Sequence, residues 1–397
     1  MSKRVHIPEL RFKEFSGEWE KDILKNIFKI SSDKFNPINN EQKYKCVELE
    51  HLAQNTGKLL GYLSSDNQVS IKNKFKKNDI LFGKLRPYLK KYWLAQFDGV
   101  CSSEIWVLSG KKVINNFLFY LIQTDKFNLI ANVSSGSKMP RADWKYMAEV
   151  LYFIPQKPEQ QKIALFLTTI DTKIEQLTKK VELQEQYKKG VMQKIFNQEI
   201  RFKNDDGSEF PKWEEKRLGD VLVESKEKST ISGEYEILSS TKDDIVLQNE
   251  YFNREIASKD NSGYKILRKN QLVFSPQNLW LGNINVNTKF QVGLVSPSYK
   301  IFDFKMNIVL VEYCKYILKS SRMMYEYAQA SEQGASVVRR SLNMDLFKSI
   351  KINLPSLEEQ TKIANFLLTL DKQIDRTKEQ LAKTKEFKKG LLQRMFI

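Results

Sequence analysis

Histidine is nearly missing from this chain: 397 residues hold two, His6 and His51, both in the first half. A duplicated site built on histidine as general base is therefore excluded, and each is expected to be an ordinary surface or core residue. Cysteine is as scarce. Cys46, Cys101 and Cys314 lie far apart without a CxxC pair, which argues against a disulfide framework and against a cysteine-held metal, and predicts buried, reduced thiols. No apolar run reaches the roughly 18 residues of a membrane span, and the opening MSKRVHIPELRFKEF is too polar for a secretory leader. The expectation is a cytoplasmic protein with no membrane partner. A GxxxxGK[ST] phosphate loop, a GxGxxG turn and the [DNS]PP[FYW] signature of amino-methyltransferases are all lacking. With no cluster of carboxylates and lysine suited to a metal nuclease, no catalytic residue, metal site or cofactor is expected in this chain.

What is abundant is positive charge and repetition. Lys and Arg number 65 against 48 Asp and Glu, a formal net charge of +17, which implies an anionic partner more than it implies a fold. The surplus concentrates before residue 155. Aromatic residues at 12% are enough for real cores, and the length suggests two or three domains. PEQQKIALFLTTIDTKIEQL at Pro158 returns as LEEQTKIANFLLTLDKQIDRT at Leu357, and YKKGVMQKIF returns as FKKGLLQRMF. An offset of 200 pairs Gln160 with Gln360, Asp171 with Asp371 and Lys188-Lys189-Gly190 with Lys388-Lys389-Gly390. A second repeat leads into each unlike stretch: PELRFKEFSGEWEKDIL aligns with QEIRFKNDDGSEFPKWEEKRL, matching Arg11-Phe12 to Arg201-Phe202 and Trp19 to Trp213. A weaker echo sets FKKNDILFGK beside ILRKNQLVFSPQ, each read as a basic turn followed by a strand.

The repeated segments carry apolar residues at alternating spacings of four and three. The seam runs Ile163, Leu167, Ile170, Ile174, Leu177, Val181 in the first and Ile363, Leu367, Leu370, Ile374, Leu381 in the second, the signature of a coiled coil. Both seams turn polar at 184/384 and 188/388, a device that fixes register. Proline precedes each helix, acids occupy its first turn and bases its end. Antiparallel pairing would bring Arg11 against the end of the second helix, giving a pseudo-cyclic chain with a two-fold axis. The predicted class is α+β: two mixed α/β domains joined by two long helices in an antiparallel coiled coil. The boundaries read 1–153 for the first domain with its lead-in, 154–200 for the central helix, 201–353 for the second domain and 354–397 for the last helix. Each domain shows one helical pattern, INNFLFYLIQTDKFNLIAN and IVLVEYCKYILKSSRMMYEYAQ.

One stretch is strongly basic and aromatic. IKNKFKKNDILFGKLRPYLKKYW holds Lys72, Lys74, Lys76, Lys77, Lys84, Arg86, Lys90 and Lys91 against a single acid, Asp79. Such a cluster neutralises phosphates and releases counterions; a solvated edge strand would look the same. Its aromatics, Phe75, Phe82, Tyr88, Tyr92 and Trp93, read as core rather than as a stacking surface. Ahead of each helix, SSGSKMPRADWKYM and SEQGASVVRRSLNMDLF place a Gly–Ser turn before arginine and then a short apolar strand. Ser137, Lys138 and Arg141, and Ser336, Arg339 and Arg340, suit phosphate and base-edge contacts.

Taken together, the RF…W lead-ins, the EQxKIAxFL helices ending KKGxxQ[KR][IM]F, the LFGKLRPYLKK stretch and the two divergent domains resemble the specificity subunit of Type I restriction-modification systems. The resemblance implies two target recognition domains, each reading half of a bipartite sequence in double-stranded DNA, and helices that set the spacer and dock two methylation subunits. It implies no catalysis here: S-adenosylmethionine belongs to the methylation subunits, and ATP and Mg to separate restriction subunits. The second domain departs from the pattern, with SPQNLWLGNI where the first has GKLRPYLKKY, so its contacts are assigned to Ser275, Gln277 and Asn278. The alternative is a coiled-coil adaptor that binds no DNA.

Overall fold

A computed structural model describes residues 6–39, 42–133, 139–252, 258, 260–333 and 340–397. The chain forms two compact units, Met1–Lys179 with Lys378–Ile397, and Lys180–Thr377. These boundaries differ from those read in the sequence, because each long helix gives its first half to one unit and its second half to the other. The helices span Lys157–Phe196 and Leu357–Arg394. Pro158 is the second residue of its helix and not a residue before it, a position where its missing N–H costs nothing.

In the first unit an antiparallel sheet takes the order Phe28–Ile30, Ile105–Gly110, Ile80–Gly83, Tyr92–Leu94. In the second the order is Leu222–Ser225, Lys300–Phe304, Leu272–Phe274, Ile284–Val286. ILFG and LVF are thus the matching inner strands, fully buried because both faces are covered. Phe28, Phe82, Phe117 and Phe127 fill the first core; Phe274, Phe302, Tyr327 and Phe347 fill the second. Each predicted helix is two. Asn115–Leu121 breaks before Asp125–Ala131, where the Thr124 hydroxyl accepts from Phe127 N; Val311–Ile317 breaks before Ser321–Gln329, where Ser320 accepts from Met323 N. A hydroxyl cap inside an apolar pattern ends one helix and starts the next.

The units differ outside these sheets. The first has a five-stranded sheet in the order Lys34–Phe35, Lys72–Phe75, Gly99–Cys101, Lys45–Val47, Leu63–Ser64. The second has two-stranded pairs, Leu238–Ser240 with Ile245–Leu247 and Lys265–Arg268 with Val292–Val295. Cys46, Cys101 and Cys314 are buried free thiols.

The lead-in motifs are now explained. In the first unit Glu20–Ile23 pairs with Leu151–Ile154, the strand that runs into the long helix. Arg11 grips the buried Glu159 with two hydrogen bonds of 2.7 Å, and Trp19 Nε1 donates to the same carboxylate at 3.3 Å. In the second unit Glu214–Arg217 pairs with Lys351–Leu354. There Arg201 grips Glu359 at 3.2 and 2.7 Å, and Trp213 Nε1 donates to it at 2.9 Å. The glutamine after each Glu is equally buried. Gln160 accepts from Ile114 N and donates to the Pro155 carbonyl; Gln360 accepts from Leu310 N and donates to that of Pro355.

Within each unit the helix halves run antiparallel. Lys388 pairs with Asp171 at 2.7 Å, and Tyr120 donates to that aspartate at 3.0 Å. In the second unit Lys188 pairs with Asp371, and Tyr316 donates to it at 2.7 Å. Of the polar seam positions, Lys188 and Lys388 therefore make cross-helix ion pairs that fix register, whereas the Thr384 hydroxyl donates to the Gln380 carbonyl of its own helix. The apolar seam is withdrawn from solvent, with Ile163, Leu167 and Ile170 in the first core and Ile363 and Leu367 in the second. Ile174, Leu370 and Leu381 are half-buried, while Leu177, Val181 and Ile374 are buried. The seam serves the domain cores as well as the partner helix, which a heptad count does not reveal. Leu10 N donates to the Arg394 carbonyl at 2.8 Å, so the first lead-in does pack against the end of the last helix.

Candidate nucleic-acid interface

In the first unit the turn after Ile80–Gly83 lies against the segment that precedes the long helix. Leu85 forms a bridge with Arg141. Arg86 N donates to the Pro140 carbonyl at 2.8 Å, and Ala142 N to that of Lys84 at 2.9 Å. Two stretches about 55 residues apart in sequence thus form one surface. The second unit repeats the arrangement, with Arg340 N donating to the Gln277 carbonyl at 3.4 Å. In both, a short helix, Trp144–Ala148 or Met344–Ser349, stands between the arginine and the strand, where the sequence had suggested strand alone. Asp143 and Asn343 cap these helices and so decide their start.

The basic run divides once its side chains are placed. Lys72 lies inside, paired with Glu48 at 2.6 Å. Its strand is internal to the five-stranded sheet, so the edge-strand reading fails. Lys74 sits half-buried, 5.8 Å from the Phe35 and Tyr44 rings. Lys91 turns inward and donates to the Leu49 carbonyl at 2.6 Å, and Lys90 lies 4.0 Å from Asp125. Arg141 is exposed but held by Glu104 at 2.9 and 3.3 Å, which raises its pKa. Lys76, Lys77, Lys84 and Arg86 make no ion pair with any described residue; Lys76, Lys77 and Arg86 are exposed and Lys84 is half-buried. Arg86 and Lys90 adopt left-handed backbone, φ 52 and 49, at either end of the Pro87–Leu89 turn. Strain of this kind in residues with side chains accumulates where function requires it.

The second unit offers a sparser surface. Gln277 is exposed, Asn278 half-buried and Ser275 buried. The Arg340 guanidinium covers the Trp280 ring at 4.3 Å, a stacking worth about 0.5–2 kcal/mol. The sequence reading passed over Trp280; its place in the 3₁₀ turn equivalent to Pro87–Leu89 was the available signal. Lys319 was also missed. It is mostly buried and donates to the Lys242 and Asp243 carbonyls and to Asn285 Oδ1 at 3.2, 3.1 and 2.6 Å. Burial pulls its pKa down to about 8. Ser137, Lys138, Ser336 and Arg339 lie outside the described residues. Among the described residues no group of His, Cys, Asp and Glu is placed to hold a metal ion, and no helix is long and apolar enough to cross a membrane.

A family model described as the Type I restriction modification DNA specificity domain matches residues 16–185 and again 211–386. The chain is 35% identical over 121 residues to the Type I restriction enzyme EcoDI specificity subunit of Escherichia coli, covering 28% of this chain and 27% of that protein. It is 25% identical over 315 residues to the MjaVIII specificity subunit of Methanocaldococcus jannaschii, covering 72% of each. Among solved structures, the Type I restriction-modification S subunit from M. genitalium shares the fold at a TM-score of 0.55. That likeness covers 98% of this chain and 99% of the other at 17% identity.

Proposed function

Since this chain belongs to the Type I restriction modification DNA specificity family, we propose that it reads a bipartite duplex target, one half-site per unit, and is itself non-catalytic. The observation that carries this reading is the duplicated surface in which an inner-strand turn meets the arginine segment ahead of the long helix. In the first unit Lys84 and Arg86 present unpaired cations there, with Lys76 and Lys77 nearby in the chain. These groups neutralise phosphates and fix orientation, while guanidinium and amide groups read base edges. In the second unit Gln277, Asn278 and Arg340 do the same with fewer charges, so that half-site depends less on phosphate contacts. The long helices, of 40 and 38 residues, are assigned the setting of the spacer between half-sites. Their repeated motifs suit two identical methylation subunits, which would bring S-adenosylmethionine, with ATP and Mg belonging to restriction subunits. The reading also places the protein in the cytoplasm with the DNA it acts on.

Affinity of the assembled methylation complex for duplex DNA is expected to fall linearly in log K against log salt, and Arg86→Ala to reduce the slope by about one. A flat salt response would sink the DNA-reading assignment. It would favour the adaptor, which predicts a stable protein complex without a DNA footprint.

A further inference from the structure

Of the aromatics in the basic run of the first unit, Phe75, Phe82, Tyr92 and Trp93 are buried, and Tyr88 alone is exposed, at 54%. Tyr88 is the middle residue of the Pro87–Leu89 turn, closed by Leu89 N on the Arg86 carbonyl and Lys90 N on that of Pro87, each at 2.9 Å. The second unit builds the same turn from Leu279–Leu281, closed by Leu281 N on the Asn278 carbonyl at 3.0 Å and Gly282 N on that of Leu279 at 2.8 Å. Residues with positive φ end both turns, Lys90 at 49 and Gly282 at 89. The middle position is again aromatic, Trp280. Its Nε1 and the Nε of the overlying Arg340 are buried donors with no partner among the described residues. Leaving two such donors unmet costs free energy that a ligand with acceptors would recover.

We propose that Tyr88 and Trp280 are equivalent DNA-contacting residues, each laying its ring against the deoxyribose and base edges of its own half-site. The proposal rests on the DNA-reading function and adds two residues to it. A ring in this position supplies apolar contact with sugars and base edges, which does not depend on counterion release as the charged contacts do. The neighbouring Arg86 and Arg340 supply the charge.

The test uses the chain assembled with its methylation subunits and a duplex carrying the motif it methylates, with binding followed by fluorescence anisotropy across a salt series. Tyr88→Ala is expected to weaken binding about tenfold with the salt slope unchanged, and Tyr88→Phe to bind within about twofold of the parent, since the ring and not the hydroxyl makes the contact. Trp280→Ala is expected to weaken binding similarly; if it lowers the melting temperature, Trp280→Leu, which keeps apolar volume beneath Arg340, takes its place. Binding of the Tyr88→Ala and Trp280 variants at parental strength, while Arg86→Ala still lowers the slope, overturns the proposal and leaves the DNA-reading function standing. Tyr88→Phe as weak as Tyr88→Ala would assign the contact to the hydroxyl and overturn it as well. A parent complex without salt-dependent binding removes the function itself.

Discussion

Glu359 shows how a single carboxylate organises a unit. It is fully buried, and Arg201 and Trp213 both donate to it. The ion pair raises the pKa of Arg201. Removing one partner of a buried pair strands the other, at a cost of about 3–5 kcal/mol. Arg201 stays 26% exposed and keeps a 2.7 Å bond to the Pro211 carbonyl, so Glu359→Ala should cost about 3 kcal/mol, at the low end of that range. Urea unfolding of the variant measures it, and an unchanged midpoint would remove Glu359 from its anchoring role. Lys319 behaves differently. Its pKa, about 8 when folded, lies below the value of about 10.4 for an unfolded chain. Between these values the unfolded state holds the proton that the folded state has released, so this group makes stability rise with pH across that window. The stability of the parent minus that of Lys319→Met should therefore increase from pH 8 to 10 in paired denaturation curves.

Gly190 and Gly390 stand inside the long helices, and a Cβ at either would meet nothing within 4 Å. Glycine at such a site destabilises a helix by roughly 0.5–1 kcal/mol relative to alanine. Gly190→Ala and Gly390→Ala should each raise the thermal midpoint of the chain, and loss of stability in either would mean the helix is not free there. The Lys188–Asp371 and Lys388–Asp171 pairs act at this same scale. They tie the end of one helix to the middle of the other and select one register among those the heptad seam would tolerate.

Across the molecule, the hydrogen bond from Leu10 N to the Arg394 carbonyl matches the one from Ile200 N to the Lys194 carbonyl, at 3.3 Å. The first bond joins distant parts of the chain, the second joins neighbours in sequence, and the two pair equivalent residues of the repeat. Joining the ends by a short linker and opening the chain in the exposed turn at Asn204–Gly207 should therefore preserve folding and DNA recognition by the assembled complex. A permuted chain that is soluble but binds no DNA would show that the covalent link at 204–207 does more than close the turn.

The sequence alone determined the duplicated plan, the lead-in motifs, the helices with their seam, and the sites of the inner strands, because each leaves a local or periodic trace. Arg11, Trp19 and Glu159 were visible as repeated residues, but only the fold gave the reason for them, a buried carboxylate shared by groups about 150 positions apart. The same limit applies to the surface. Lys72 and Lys76 look alike in sequence, yet one lies inside against Glu48 and the other is exposed, since the first sits in an internal strand and the second in the turn that follows it. Tyr88 was one aromatic among five until burial of the other four singled it out. Composition and period specify which elements form. Which charges and rings remain for a partner is settled only when tertiary packing has consumed the rest.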